Sequence, residues 1–202
     1  RLYDLLHERR INEQAALLSL SNQLLSRLDL NEVIDCLVEE APGLLQADAA
    51  ALLLPAGESG LLTFHAARGW RSDPVAAGYR LSADERSGPG LAMQTRQPVV
   101  VRDIEGDGSA MQCSAWLQAE GFRGHAIVPL IAEQTAIGAL MINMRQPRLL
   151  GDEEVRLLLR YASTLSRHYI LKLREYDREW ADTLCPRFKD YDKVMRKGKE
   201  SV

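Results

Sequence analysis

Apolar positions along this chain fall into two textures: helical stripes at both ends, and short continuous runs between them. From Arg1 to about Arg27 there is no proline or glycine. Leu6, Leu17, Leu20, Leu24 and Leu28 recur at helical spacing there, with Arg9, Arg10, Glu13 and Gln14 between them. The spacing predicts a long amphipathic helix. Asp29 followed three residues later by Glu32 has the form of a capping box, and Leu30, Val33, Ile34, Leu37, Val38, Ala41 and Leu44 then mark a second helix. After Asp48 the texture changes. Ala49 to Leu54 and Leu61 to Ala67 are short apolar runs separated by Pro-Ala-Gly-Glu-Ser-Gly, which predicts two strands and a tight connection.

Trp70 to Gly90 carries Gly, Pro, Ser and Asp without periodicity and is expected to be a loop. A short helix follows from Gly88-Pro89-Gly90 to Thr95. Val99 to Val101 is β-branched and suited to a buried strand, and Asp103 to Cys113 is turn chemistry. Ala115 to Glu120 reads as one more short helix. His125 to Ala132 and Ala136 to Met144, separated by Glu-Gln-Thr, read as a hairpin of the longest strands. Acidic residues at Asp152, Glu153 and Glu154 open a closing helix whose stripe runs through Leu158, Ala162, Leu165, Tyr169, Leu173, Tyr176, Trp180 and Leu184. That helix is longer than a core of this size needs. A stripe leaving the core must be buried on something, most simply the same helix of a second copy, so a homodimer through the flanking helices is expected, with Leu158, Ala162, Leu165, Tyr169, Leu173, Tyr176 and Trp180 at its interface. The alternative is an overshoot that folds back on its own domain or frays.

Composition narrows the function classes. At 202 residues and roughly 150 per domain, the chain holds one core with extensions. The expected division is a helix over 1–28, a central domain over 29–172, a helical extension over 173–185 and a locally basic tail over 186–202. With 25 Lys+Arg against 28 Asp+Glu the net charge is −3, which disfavours nucleic-acid binding by phosphate neutralisation. No apolar run approaches the roughly 20 residues of a membrane span. Cys36, Cys113 and Cys185 lie far apart with no CxxC pair, which fits neither a disulfide framework nor a structural zinc site and suggests a cytoplasmic location. The opening Arg1 suggests a segment excised from a longer protein.

Several stretches, in order, resemble a GAF domain. They are Asp29-Leu30-Asn31-Glu32-Val33; Gly90-Leu91-Ala92 with Thr95-Arg96-Gln97-Pro98-Val99-Val100-Val101-Arg102-Asp103; Gly121-Phe122-Arg123-Gly124-His125-Ala126-Ile127-Val128-Pro129-Leu130 with Ile137-Gly138-Ala139-Leu140; and Asp152-Glu153-Glu154-Val155-Arg156-Leu157-Leu158. The resemblance covers about residues 17 to 173. It implies an α+β fold: a central antiparallel sheet, the first and last core helices packed on one face, and a loop-covered ligand pocket on the other. It also implies a regulatory module whose flanking helices pair across a dimer and pass the pocket's state to an output domain in the same chain.

The candidate chemistry is sparse. Trp70 and Trp116 fall in segments that would cover the pocket and are candidate lining residues, with loop anchoring as the alternative. His125 lies on a strand expected to border the pocket. Arg123 and Asp103, like Arg68 and Arg102, stand near strand ends where a charge could meet an anionic ligand, Arg123 being the favoured partner. The cofactor is unknown. Bilin attachment in phytochrome-like relatives typically uses Cys-His, and Cys113 is followed by Ser114. His65, His125 and His168 have no partner at ligand spacing, which argues against haem or a bound metal. One GAF branch resembles a thiol enzyme that reduces free methionine sulfoxide, but only Cys113 sits in a suitable loop and it lacks a resolving thiol nearby. The leading expectation is a non-enzymatic small-molecule sensor. A ligand-free dimerisation spacer and, behind it, a thiol enzyme are the alternatives.

Overall fold

A computed structural model describes residues 30–106, 115–132 and 134–175. The first expected helix, Cys113, Cys185, Tyr176, Trp180 and the 186–202 tail lie outside the described residues. The elements run α1 (Leu30–Leu44), β1 (Ala49–Pro55), β2 (Leu61–Arg68), β3 (Arg80–Ser82), α2 (Gly88–Thr95), β4 (Val99–Val101), α3 (Ala115–Ala119), β5 (Gly124–Ala132), β6 (Thr135–Met144) and α4 (Asp152–Glu175). The six strands form one sheet in the order β3-β2-β1-β6-β5-β4, and every neighbouring pair is antiparallel. This is the α+β arrangement expected from the sequence.

The central strands β1, β5 and β6 are apolar on consecutive residues because both faces of the sheet are covered. Ala50, Leu52, Leu54, Ala126, Val128, Leu130, Leu140 and Ile142 point to one face. There they meet Val33, Ile34, Leu37, Val38 and Ala41 of α1 and Leu157, Leu158, Tyr161, Ala162, Leu165 and Tyr169 of α4. The alternate residues Ala51, Leu53, Ile127, Ala139 and Met141 point to the other face, with Leu62, Phe64 and Ala92. Ion pairing locks the helix layer at one end. Arg148 donates from Nη1 to the Leu45 and Gln46 carbonyls at 2.6 and 3.0 Å, beyond the last turn of α1, and pairs with Glu154 in the first turn of α4.

Three expectations change. Leu158, Ala162, Leu165 and Tyr169 are at most 3% exposed within a single chain. Their stripe is consumed by the sheet and α1, so they leave no surface for a second copy; the side chain of Leu173 is not described. Val99–Val101 forms an edge strand and is half-buried, because β4 has a neighbour only in β5. The expected 70–90 loop contains the short edge strand β3, paired with Leu61–Thr63; three residues show no alternation. In addition, Leu52 faces Ala66 while Leu53 faces Phe64, so His65 is the extra residue of a β-bulge and the faces of β2 switch there.

Gly138 lies tight against β1: a Cβ there would stand 2.6 Å from the Leu53 carbonyl oxygen and 2.7 Å from Leu54 Cδ2. Gly43, on α1, has nothing within 4 Å of the same position. Gly138→Ala is therefore expected to destabilise the chain by about 1–3 kcal/mol, whereas Gly43→Ala is neutral or stabilising by up to about 1 kcal/mol. Denaturant midpoints check this; equal shifts in the two variants would contradict the strand packing.

Candidate functional site

The face of the sheet opposite α1 and α4 is covered by α2 and by connecting segments, not by long helices. Aromatic side chains dominate the cover. Phe64 on β2 meets Trp70 and Trp116 edge-on, with ring centroids 5.2 and 5.7 Å apart. Trp70 also meets Phe122 edge-on at 4.9 Å, and Tyr79 stacks on Trp116 at 4.3 Å. The Trp70 indole N–H donates to the Ala50 carbonyl at 3.0 Å. Gly69 makes this possible, since its φ of 78° and the 2.1 Å from its would-be Cβ to the Asp48 carbonyl oxygen both exclude a side chain. The structure thus brings the two expected tryptophans together. It adds Phe64, Tyr79 and Phe122, whose positions in the sequence gave no sign of convergence.

Polar groups close one end of this face. Glu120, just after α3, is buried and accepts hydrogen bonds from the backbone N–H groups of Arg71 and Ser72 at 2.7 and 2.9 Å and from the Ser72 hydroxyl. Burial alone would raise the Glu120 carboxyl, but these hydrogen bonds and the Arg145 charge outweigh it and hold it below its ordinary value. Arg145, just beyond β6, donates to the Gly69 carbonyl at 2.9 Å and the Glu120 carbonyl at 3.2 Å, and lies 5.0 Å over the Phe122 ring. One guanidinium therefore ties the end of β6 to the 69–72 turn and to α3.

Arg123 makes a two-pronged pair with Asp103, Nε to Oδ1 and Nη2 to Oδ2, each at 2.9 Å, and also reaches Glu105. The two charged site residues expected from the sequence do meet, but in each other's grip. Arg123, expected as the charge partner of an anionic ligand, has Asp103 as its partner in the folded chain. Arg68 likewise pairs with Glu39 in an exposed contact. Asp103 is pushed up by desolvation and pulled down further by Arg123 and nearby N–H groups, ending below its usual value.

His125 and Asn143 sit opposite each other on β5 and β6. They share the aromatic-covered face with Ile127 and Met141, two residues along each strand. His125 is 8% exposed and Asn143 2%, and neither His125 Nε2 nor Asn143 Nδ2 has a hydrogen-bond partner. An unpaired buried polar group costs about 1–3 kcal/mol, so two side by side are a conspicuous expense. His125 was legible as a candidate; Asn143 was not, because an asparagine inside an apolar run reads as an interruption. His168 is elsewhere: it is buried on α4, bonded through Nδ1 to the Thr164 carbonyl at 2.9 Å. Cys36 lies on α1 in the helix layer, its thiol pushed up by burial and by Glu40.

Comparison with known proteins agrees with this architecture. The family model for the GAF domain matches residues 29–168. The chain belongs to the GAF domain family. No curated protein sequence matches it. Among solved structures, the GAF domain of a phosphoenolpyruvate-protein phosphotransferase from Coxiella burnetii is similar at 20% identity and a TM-score of 0.66, covering 85% of this chain and 95% of that one. A domain of a putative two-component sensor histidine kinase from Sinorhizobium meliloti 1021 is similar at 24% identity and a TM-score of 0.56, covering 77% and 97%. A free methionine-R-sulfoxide reductase from Neisseria meningitidis, solved with its substrate, is similar at 17% identity and a TM-score of 0.66, covering 81% and 94%. No helix among the described residues is long and apolar enough to cross a membrane.

Burial lowers His125 from its ordinary value of 6.5 to about 4. The unfolded chain takes up this proton and the folded one does not, so the contribution to stability is complete above about pH 6.5 and is lost as the pH falls toward 4. The loss is expected to reach about 3 kcal/mol. Denaturation midpoints followed from pH 7 to pH 4 should show this slope in the unaltered chain and much less of it in His125→Gln; equal slopes would contradict the burial of a neutral imidazole.

Proposed function

We propose that this GAF domain is a non-enzymatic sensory module that binds a small molecule on the aromatic-covered face of its sheet and passes occupancy to its flanking helices. The observation that carries this reading is the asymmetry of the two sheet faces. One is sealed by long helices. The other is covered by α2 and by turns held down through Glu120, Arg145 and the Arg123–Asp103 pair. Covers built from short connections move at lower cost than packed helices. Kinase and phosphotransferase contexts among the similar structures fit a regulatory role.

A route to the helices follows from the same contacts. Movement of the 69–72 turn pulls on Arg145 through the Gly69 carbonyl, and three residues later Arg148 grips both the end of α1 and the start of α4. The flanking helices pair in a homodimer, with the interface placed at Leu173, Tyr176 and Trp180 and beyond, since the earlier stripe is used internally. The output domain sits in the same full-length, cytoplasmic chain. Thiol chemistry is the weaker reading: Cys36 lies on α1, across the sheet from the aromatic face, and Cys113 has no second thiol near it in sequence. A spacer that binds nothing is favoured by the way the aromatic rings fill the face with one another.

Two measurements decide. A metabolite extract of the host should raise the melting temperature; a ligand at about ten times its Kd adds about 1.4 kcal/mol, which for a chain of this size is about 3–6 °C. No shift with any fraction favours the spacer. For assembly, Leu173→Glu with Tyr176→Glu is expected to give a monomer by light scattering, and a dimer unchanged at micromolar concentration would place the interface elsewhere.

A further inference from the structure

Val101, His125, Asn143 and Ala49 form one row across β4, β5, β6 and β1, each cross-strand partnered with the next. The row separates two kinds of surface. On one side lie Ile127, Met141 and Ala51, the apolar floor on which Trp70 and Trp116 pack. On the other are the arginines that end these strands, Arg123 held by Asp103 and Glu105, and Arg145 held by Glu120, Asp48 and the Gly69 carbonyl. Within the row, His125 Nε2 and Asn143 Nδ2 are buried without partners.

Asn143 Nδ2 is a donor, and His125 Nε2 is one when it carries the ring proton, so a single acceptor atom would satisfy both. A carboxylate or phosphate would need a cation beside the pair to offset its desolvation; Arg123 and Arg145 are already engaged, and Arg102, after β4, is exposed to solvent. Burial keeps the imidazole uncharged, so it adds no positive charge of its own. A neutral oxygen avoids that penalty. We infer that His125 and Asn143 are the polar end of a site for a neutral, carbonyl-bearing small molecule, whose oxygen accepts from Asn143 Nδ2 and His125 Nε2 while its apolar body displaces part of the Trp70 and Trp116 cover from Ile127 and Met141. This rests on the sheet face being the binding face. It adds the chemistry of the ligand: a carboxamide, lactam or ring ketone in place of an anion. In the occupied state the His125 ring carries its proton on Nε2 and donates.

The test uses the full chain and three probes of matched shape: benzamide, benzoate and toluene, titrated while the side-chain amide signals of the 15N-labelled protein are followed. Benzamide is expected to bind at least about tenfold more tightly than either of the others. It should also shift the Asn143 side-chain amide. Asn143→Leu should bring benzamide down to the level of toluene. His125→Gln, which keeps an amide donor, should retain most of the preference. Benzoate binding as well as benzamide would overturn the inference in favour of an anion site. Equal binding of all three would reduce the pair to groups hydrated by buried water, and no binding by any probe at about 10 mM also counts against it. Should Asn143→Leu fail to fold, the ranking of the probes on the unaltered chain still decides. A thermal shift by host extract that survives in Asn143→Leu sinks this inference and leaves the broader binding reading standing; absence of any extract shift sinks that reading.

Discussion

A sheet whose central strands are apolar on both faces needs two covers, and the rest of this molecule follows from how differently the two are made. The helix pair α1 and α4 supplies the first, burying residues from Val33 to Ala41 and from Leu157 to Tyr169 against alternate residues of β1, β5 and β6. Both helices reach the sheet as long stripes, so that side is closed by many contacts that open only together. The second cover is assembled from the short helices α2 and α3 and from turns, with five aromatic rings in place of a helical stripe. Large flat side chains shield much area per residue, which lets short segments do the task of a layer.

Such a cover needs pinning, and arginine does most of it. Arg145 takes carbonyl oxygens from Gly69 and Glu120, Arg123 clamps Asp103 at the end of β4, and Arg148 joins α1 to α4. Guanidinium groups suit this because several donors spread in one plane can hold different segments at once. The same engagement removes positive charge from the site. A chain with several arginines around a pocket looks, in sequence, like an anion receptor; in the folded chain Arg123 and Arg145 hold segments together, and among the described residues the unpaired polar groups buried on the sheet face are those of His125 and Asn143.

Elements with many periodic residues were legible in the sequence: α1, the β1–β2 and β5–β6 hairpins and α4 all lie where the spacing of apolar residues puts them. What escaped had a local signal too short or the wrong kind of partner. β3 is three residues long, and His65 breaks the alternation of β2 through a bulge that only pairing reveals. The stripe from Leu158 to Tyr169 was correctly apolar, but apolarity does not say whether the sheet or a second copy covers it. At the site, Trp70, Trp116, His125, Arg123 and Asp103 were singled out by position. Phe64, Tyr79, Phe122, Glu120, Asn143 and Arg145 were not, because they converge from separate segments through the sheet register. The pairing of Arg123 with Asp103, 20 residues apart, was equally invisible.

If the domain receives a small-molecule signal, the aromatic-covered face, and not the helix layer, is the proposed place for it. Hydrogen–deuterium exchange with and without host metabolite extract tests it most directly. Slower exchange is expected at the 69–72 turn and at the ends of β5 and β6 carrying His125 and Asn143, with a smaller change at the start of α4 beside Arg148. Protection confined to the interface between α1 and α4 around Tyr161, with the 69–72 turn unchanged, would contradict it.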